Sequence, residues 1–478
     1  MKLKSLFSFL DYYNLKTKME FVDRARELKA LEEEYSAPRS SLVILYGRRR
    51  VGKTRLLHEF LKDKPHLYYM ADLESEILQR ERLKRLAAEV LEDPLLGKIS
   101  FPGWEELFNY LLEKIFARSN EKKFVLALDE FSYLLQVSPA LPSVLQKLWD
   151  TRCLGRPIML VLCGSLLGLM YRHTLSYRSP LYGRRTLDLK LVPLTFADYL
   201  EFFPHISKDE AFKFYALTNG TPWYVELLER RKDLWRNISE RILEPFSPLY
   251  NEPRFILQEE IREATTYFSI LEVIAQGEHK IGNIARRLGL KTSNLTSFLD
   301  RLQELDLVYR EVPVTEKNPA KSKKGLYFIR DNFFRFWFRY VFPYRSYLET
   351  GRKEEVLSRI KADWEHFSAP VFERVCAESV WRLPLPFDIL KIGRFWSKDI
   401  EIDVVALGEK EVLLGECKYQ RSKVSLKVFH ELQDKAKNFP QEGRKVYYAI
   451  FSRSGFKKDL LQEIQKREDL FLWTIEDL

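Results

Sequence analysis

Residues 42–60, LVILYGRRRVGKTRLLHEF, constrain this chain more than any other stretch. An apolar run from Leu42 to Tyr46 breaks into Gly47-Arg48-Arg49-Arg50-Val51-Gly52-Lys53-Thr54-Arg55, and a helical pattern follows at once. This is G-x-x-x-x-G-K-[ST] with a strand before it and a helix after it, the context in which the motif cradles phosphate. Gly47 and Gly52 let the backbone curl so that its N–H groups converge on anionic oxygens. The helix beginning near Lys53 adds the positive end of its dipole. Lys53 is expected to reach the β- and γ-phosphates, and the Thr54 hydroxyl to ligate Mg²⁺. An Arg-rich turn without a ligand would leave the complete, properly flanked motif unexplained. The segment Gly47 to Arg55 therefore predicts a nucleotide site.

A second anchor is Lys123-Phe-Val-Leu-Ala-Leu-Asp129-Glu130-Phe131. An apolar run of this length bounded by charges reads as a buried parallel strand. Its C-terminal tip is where α/β sheets place their ligands. Asp129 would hold the Mg²⁺ hydration shell, and Glu130 would orient and deprotonate an attacking water. A third strand, Ile158 to Gly164, ends in Ser165, a small polar group at the same edge. Further on, Gly183-Arg184-Arg185 follows a turn. These arginines can be read as a finger that neutralises charge on a transferring phosphoryl group, or equally as surface charge on a loop. Met19 to Tyr35, with Phe21, Asp23, Arg24, Glu27 and Leu28, reads as a lead-in helix; packing on the sheet edge is the alternative to a role near the nucleotide.

The motifs GRRRVGKT, LALDEF, LCGS, SPLYGRRT and NGTPWYVE together resemble the archaeal ATPase family of the AAA+/STAND group of P-loop proteins. The resemblance covers residues 19–245. It implies a parallel-sheet α/β ATPase domain with a helical lid, ATP and Mg²⁺ as ligands, and slow hydrolysis used as a switch or motor. It also implies a sensor role for Ser165, whose side chain would contact the γ-phosphate or the water.

From Ile270 the pattern changes to short helices. Ile281 to Gly289 supplies a helix and its glycine turn, and a second helix starts at Thr292 or Ser293 as cap. Strands near Leu307 and Gly325 would flank a loop carrying Lys317, Lys321, Lys323 and Lys324. This is the rhythm of a winged helix-turn-helix over residues 260–345, in which those lysines would meet phosphates. A winged helix used for protein contacts is the competing reading. The dense aromatic cluster from Phe333 to Tyr340 is expected to be a buried helix.

The last third carries a second chemistry. A strand Ile400 to Leu407 bears Asp403, a turn follows at Gly408, and the next strand bears Glu416, Cys417 and Lys418. A hairpin brings the two strands side by side, and residues i and i+2 share a face. Glu416 and Lys418 should therefore both point toward Asp403. Two carboxylates suit a hard divalent cation, Mg²⁺ foremost, and a lysine beside them can polarise a water. Residues 360–478 resemble the PD-(D/E)xK nuclease superfamily, a restriction-endonuclease-like α/β fold. The resemblance implies that Asp403 and Glu416 are metal ligands, that Lys418 is catalytic and that Glu373 assists. It also implies that a helix with Lys427, His430 and Gln433 lies alongside. Ile402 stands where the superfamily has its proline. A charged hairpin without metal, or a fold kept for binding alone, are the other readings.

The net charge of +10 favours an acidic partner, and nucleic acid fits best. Four cysteines, Cys153, Cys163, Cys376 and Cys417, form no C-x-x-C pair, which argues against a zinc cluster or a disulfide framework. No apolar run suits a membrane span, so a cytoplasmic protein is expected. The sequence as a whole predicts an ATP-driven protein that handles DNA through the winged helix and the C-terminal domain, compatible with a homo-oligomer. A STAND-like signalling or assembly switch is the alternative, and a chaperone-like motor a third.

Overall fold

The computed structural model describes residues 24–118, 122–261 and 263–478. Met19 to Asp23 of the expected lead-in helix lie outside them. The chain divides into two compact units, Met1–Pro193 with Thr221–Trp223, and Leu194–Gly220 with Tyr224–Leu478.

In the first unit, helix α1 (Ala25–Ser36) precedes strand β1 (Ser41–Tyr46) and helix α2 (Lys53–Leu61). Strand β2 (His66–Met70) and helices α3 (Glu76–Val90) and α4 (Trp104–Arg118) follow. Strand β3 (Phe124–Asp129) runs into α5 (Phe131–Val137) and α6 (Leu141–Leu148). Strands β4 (Ile158–Gly164) and β5 (Leu187–Lys190) complete a five-stranded sheet in the order β2-β3-β4-β1-β5. Every pairing is parallel. The near-continuous apolar runs follow from burial on both faces. Leu42 and Ile44 of β1 enter one core with Leu126, Leu128, Leu160 and Leu162. Val43 and Leu45 enter the opposite core with Val125, Ala127, Val161 and Cys163. Each buried Leu, Ile or Val among them contributes about 1.5–3 kcal/mol, so the register that brings the tips of β1, β3 and β4 to one edge is strongly specified.

The second unit begins with helices that the sequence assigned to an ATPase lid ending at 245. Helix α7 (Lys208–Thr218) packs by Phe212 against Phe372 and Tyr419, with ring centroids at 5.7 and 4.9 Å. Arg453 grips Asp209 through both carboxylate oxygens at 2.6 and 3.0 Å. These contacts group the segment with the C-terminal residues. Helices α8 (Thr265–Ala275), α9 (Ile281–Leu288) and α10 (Thr292–Glu304) precede an antiparallel ribbon of β6 (Val308–Glu311) and β7 (Leu326–Ile329). Gly289 closes α9 at φ 66°, in the left-handed region where glycine carries no Cβ penalty. Thr292 opens α10 as its first helical residue and Lys291 holds the cap position, with no side-chain cap bond. The aromatic cluster is buried: Phe333, Phe334, Phe336, Trp337 and Phe338 are all at most 1% exposed.

A long helix α11 (Lys353–Val380) leads to a second five-stranded sheet. It comprises β8 (Lys391–Trp396), β9 (Glu401–Leu407), β10 (Glu411–Lys418), β11 (Lys445–Ser452) and β12 (Leu470–Thr474), in the order β12-β11-β10-β9-β8. The β8-β9-β10 pairs are antiparallel and the β10-β11-β12 pairs parallel. Helix α11 packs on β9 and β10, as does α12 (Leu426–Lys437), while α13 (Lys458–Ile464) packs against β12. No helix among the described residues is long and apolar enough to cross a membrane.

Candidate functional site

The first site lies at the tips of β1, β3 and β4. Gly47 can only be glycine: a Cβ there would stand 2.2 Å from the Leu191 carbonyl oxygen. Gly52 caps α2 at φ 94°, which turns the loop into the helix. Lys53 is buried, and its ammonium donates to the Gly47 and Arg48 carbonyls at 2.9 and 3.0 Å. Burial pulls its pKa below the ordinary lysine value, against the opposing pull of Cys163, Glu130 and Asp129. Such a cation gains from an anion beside it.

Thr54 and Asp129, 75 residues apart, meet directly: the Thr54 hydroxyl donates to Asp129 Oδ2 at 2.8 Å. The Tyr68 hydroxyl donates to the same oxygen at 2.9 Å. Burial, followed by the charge of Asp129, raises the Tyr68 pKa, so the phenol stays a donor. Glu130 adopts φ 49° at the start of α5, and its backbone N–H donates to Asp129 Oδ1 at 2.8 Å. The Ser165 hydroxyl donates to Glu130 Oε2 at 2.7 Å. A hydroxyl and a carboxylate beside a phosphate-binding loop are the oxygen donors Mg²⁺ takes, so this donor set fits the ion.

Two of the loop arginines turn to different partners. Arg49 donates to the Tyr133 hydroxyl at 2.6 Å, and the Arg50 guanidinium stacks 3.8 Å over the Trp223 ring. Val51 is fixed through its carbonyl, which accepts from Arg24 at 3.2 Å, while Arg24 also reaches the Val192 carbonyl at 2.6 Å. Arg184 forms a two-pronged pair with Asp150 at 2.7 and 2.6 Å and donates to the Pro180 carbonyl, and Arg185 pairs with Asp188 at 2.8 Å. Both arginines hold their own loop. Tyr68, Tyr133 and Arg24 were not singled out as site residues from sequence. Tyr68 lies on an edge strand whose neighbour becomes apparent only once β2 pairs with β3.

The second site lies on β9 and β10. The β9–β10 pairing runs as far as Gly415 and Val404, the chain neighbours of Glu416 and Asp403. Asp403 Oδ2 accepts the Cys417 N–H at 2.9 Å. Lys418 donates to Glu416 Oε1 at 2.8 Å and Lys435 of α12 to Oε2 at 2.7 Å. Burial and the adjacent Glu416 push the Asp403 carboxyl above its usual range. Burial and Asp403 do the same to Glu373 of α11. Arg394 faces this cluster, 3.6 Å from Glu373 and 3.5 Å from Glu311, and also pairs with Glu401. Burial opposes its charge, yet Glu373, Glu311 and Glu401 hold it above the ordinary arginine value. The structure thus brings together Asp403, Glu416, Lys418 and Glu373. It leaves Lys427 and His430 exposed, and Lys435 is the residue of that helix that reaches the site. Among the described residues no group of three or more His, Cys, Asp or Glu side chains could hold a metal ion. A cation here would rest on two carboxylates, in competition with two lysines.

Comparison with known proteins places the two sites in two family matches. Residues 21–228 match a family described as an ATPase domain predominantly from Archaea. Residues 337–429, which include Glu373, Asp403, Glu416 and Lys418, match DUF234, described as "Archaea bacterial proteins of unknown function". The uncharacterized protein MJECL04 of Methanocaldococcus jannaschii is 36% identical over 465 residues, 96% of this chain and 99% of that protein. Among solved structures, the Walker-type ATPase PABY2304 of Pyrococcus abyssi has 22% identity and a TM-score of 0.49, over 66% of this chain and 96% of that one. The ORC2 protein of Aeropyrum pernix has 12% identity and a TM-score of 0.44, over 73% and 98%. The chain belongs to the family of the M. jannaschii protein, with an archaeal P-loop ATPase domain followed by a DUF234 domain.

Proposed function

We propose that this protein is an ATP-hydrolysing DNA-handling enzyme whose nucleotide state governs a Mg²⁺-dependent nuclease-like site. In the first unit the loop N–H groups and Lys53 hold the triphosphate. Thr54 and Asp129 would hold Mg²⁺, which would offset charge on the phosphoryl oxygens. Glu130 takes the proton of the attacking water, and Ser165 fixes the carboxylate that does so. The hydrogen bond from Thr54 to Asp129 supports this assignment, since it joins the two expected ligands of one ion.

In the second unit Asp403 and Glu416 would hold the cation, Lys418 would orient a water for attack on a phosphodiester, and Glu373 would act as a further acidic group. The observation that supports this reading is the Asp403 carboxylate accepting the N–H of Cys417, between Glu416 and Lys418, while Lys418 donates to Glu416. Helices α8 to α10 and the β6–β7 ribbon are assigned as a winged helix. The exposed Lys317, Lys321 and Lys323 of its loop would meet DNA phosphates.

A second reading draws on a specific observation. Both oxygens of Glu416 already accept from lysines, an arrangement that is complete without metal and suits a binding module in a STAND-like switch. Binding of a labelled DNA duplex across a salt series tests the choice. A DNA-handling protein loses affinity steeply as counterion release is suppressed. Absence of binding at low salt favours the switch.

A further inference from the structure

From Thr151 to Leu187 the chain carries six arginines and not one Asp or Glu. The second half of that stretch, a helical turn (Tyr171–Leu175) and the loop that follows it to Thr186, displays tyrosines. Tyr177 is 85% exposed, Tyr171 60% and Tyr182 43%. An isolated exposed aromatic is ordinary. Three within 12 residues, interleaved with the exposed Arg172 and Arg178, form a basic aromatic surface. Neither of these two arginines pairs with a carboxylate among the described residues.

The display is built on a fixed base. Leu181 and Thr174 are fully buried. The Ser179 hydroxyl donates to the His173 carbonyl at 2.6 Å and accepts the Leu181 N–H at 3.1 Å. Arg184 ties the loop to Asp150 and to the Pro180 carbonyl. The Tyr177 and Tyr182 rings meet edge to face at 5.3 Å, and the Arg185 guanidinium lies 5.0 Å over the Tyr182 ring. Tyr177 keeps most of its surface open to solvent beside this pair, and the loop need not reorganise to offer it.

We propose that this loop is a stacking platform for single-stranded DNA, with bases on Tyr177 and Tyr182 and backbone phosphates on Arg172 and Arg178. Unpaired bases offer free π-faces, whereas in a duplex those faces are covered by neighbouring pairs. Positive charge without compensating carboxylates complements a phosphate backbone. The inference rests on the DNA-handling reading above and adds to it a contact on the ATPase unit, outside the winged helix and the C-terminal sheet. Arg184 takes the role of a structural tie for the platform.

The test is anisotropy of a fluorescein-labelled single strand, with the matching duplex measured in parallel. The proteins are wild type, Tyr177→Ala, Tyr182→Ala, Tyr177→Phe and the double variant Arg172→Ala/Arg178→Ala, in the full chain. Each alanine variant at a tyrosine should weaken single-strand binding by about five- to a hundred-fold and leave duplex binding unchanged, while Tyr177→Phe keeps the ring and the affinity. The arginine double variant should reduce the salt slope of single-strand binding by about 1.4. Wild-type binding to single strands that is indifferent to all four variants overturns the platform and leaves the DNA-handling reading standing. Failure of the wild type to bind either DNA overturns both. A change of oligomeric state in Tyr177→Ala with single-strand affinity intact makes the surface a protein interface and likewise overturns the proposal.

Discussion

The Ser165 hydroxyl donates to Glu130 Oε2 at 2.7 Å, joining the tip of β4 to the first residue after β3. Glu130 is held at φ 49°, and its partner serine is 1% exposed. A buried donor aimed at a carboxylate fixes which way that carboxylate faces. Ser165→Ala should therefore lower kcat for ATP hydrolysis about tenfold while KM for ATP changes less than about twofold, the signature of a lost positioning contact. Ser165→Thr, which keeps the hydroxyl, should recover most of the rate. Steady-state kinetics separates the two, and a change confined to KM would count against the assignment.

Thr54 and Asp129 share a hydrogen bond that the ion is assigned to replace. In Asp129→Asn, nucleotide affinity measured with Mg²⁺ should fall about tenfold or more, while affinity measured in EDTA should stay near wild type. Equal losses under both conditions would mean that Asp129 supports the loop and does not hold the ion.

Gly47→Ala sets a Cβ against the Leu191 carbonyl, a backbone atom with little room to move. Overpacking of this kind costs about 1–3 kcal/mol, so thermal unfolding should shift downward. Gly183→Ala, where a Cβ meets nothing within 4 Å, serves as the neutral control.

Lys123 donates to the Glu34 carbonyl at 2.7 Å and to the Ser41 hydroxyl at 3.0 Å. Burial lowers its pKa to about 8, partly opposed by the Glu34 carboxylate. Between pH 8 and the ordinary lysine value of about 10.4 the unfolded chain binds more protons at this position than the folded one. Stability contributed by this group therefore rises with pH through that window, because the folded state no longer buries a charge. The stability difference between wild type and Lys123→Met, followed by urea unfolding, should move in favour of the wild type from pH 8 to 10. A flat difference would place the titration elsewhere.

All four cysteines are buried, and burial raises the pKa of each. Thiolate is the reactive form. A thiol reagent at neutral pH should leave the native protein unmodified over minutes and label all four sites in denaturant. Fast labelling of the native chain would show that one of these sites opens.

The local signals carried far. The strand tips bearing Gly47, Asp129 and Ser165 are written in contiguous runs of residues, because a parallel strand buried on both faces must be apolar throughout and can turn polar only where it ends. The hairpin that brings Asp403 and Glu416 onto neighbouring strands is likewise local, since alternation and the Gly408 turn fix its register. Non-local pairing was not legible. Asp150, 34 residues before Arg184, is the carboxylate that pairs with the candidate finger. Lys435 reaches Glu416 because α12 crosses β10, whereas Lys427 and His430, nearer in sequence, face outward. Phe212 finds Phe372 and Tyr419 from more than 150 residues away, and that burial groups α7 with the C-terminal residues. Hydrophobic pattern states that a face is buried but does not name what covers it.

Cleavage of linear and circular duplex DNA in Mg²⁺ tests the central claim most directly, with wild type, Asp403→Ala and Lys53→Ala compared in the presence and absence of ATP. The account predicts cleavage that disappears in Asp403→Ala and that loses its response to ATP in Lys53→Ala. Wild-type protein that hydrolyses ATP yet leaves every DNA intact would contradict it, and would make the Asp403, Glu416 and Lys418 cluster a binding surface.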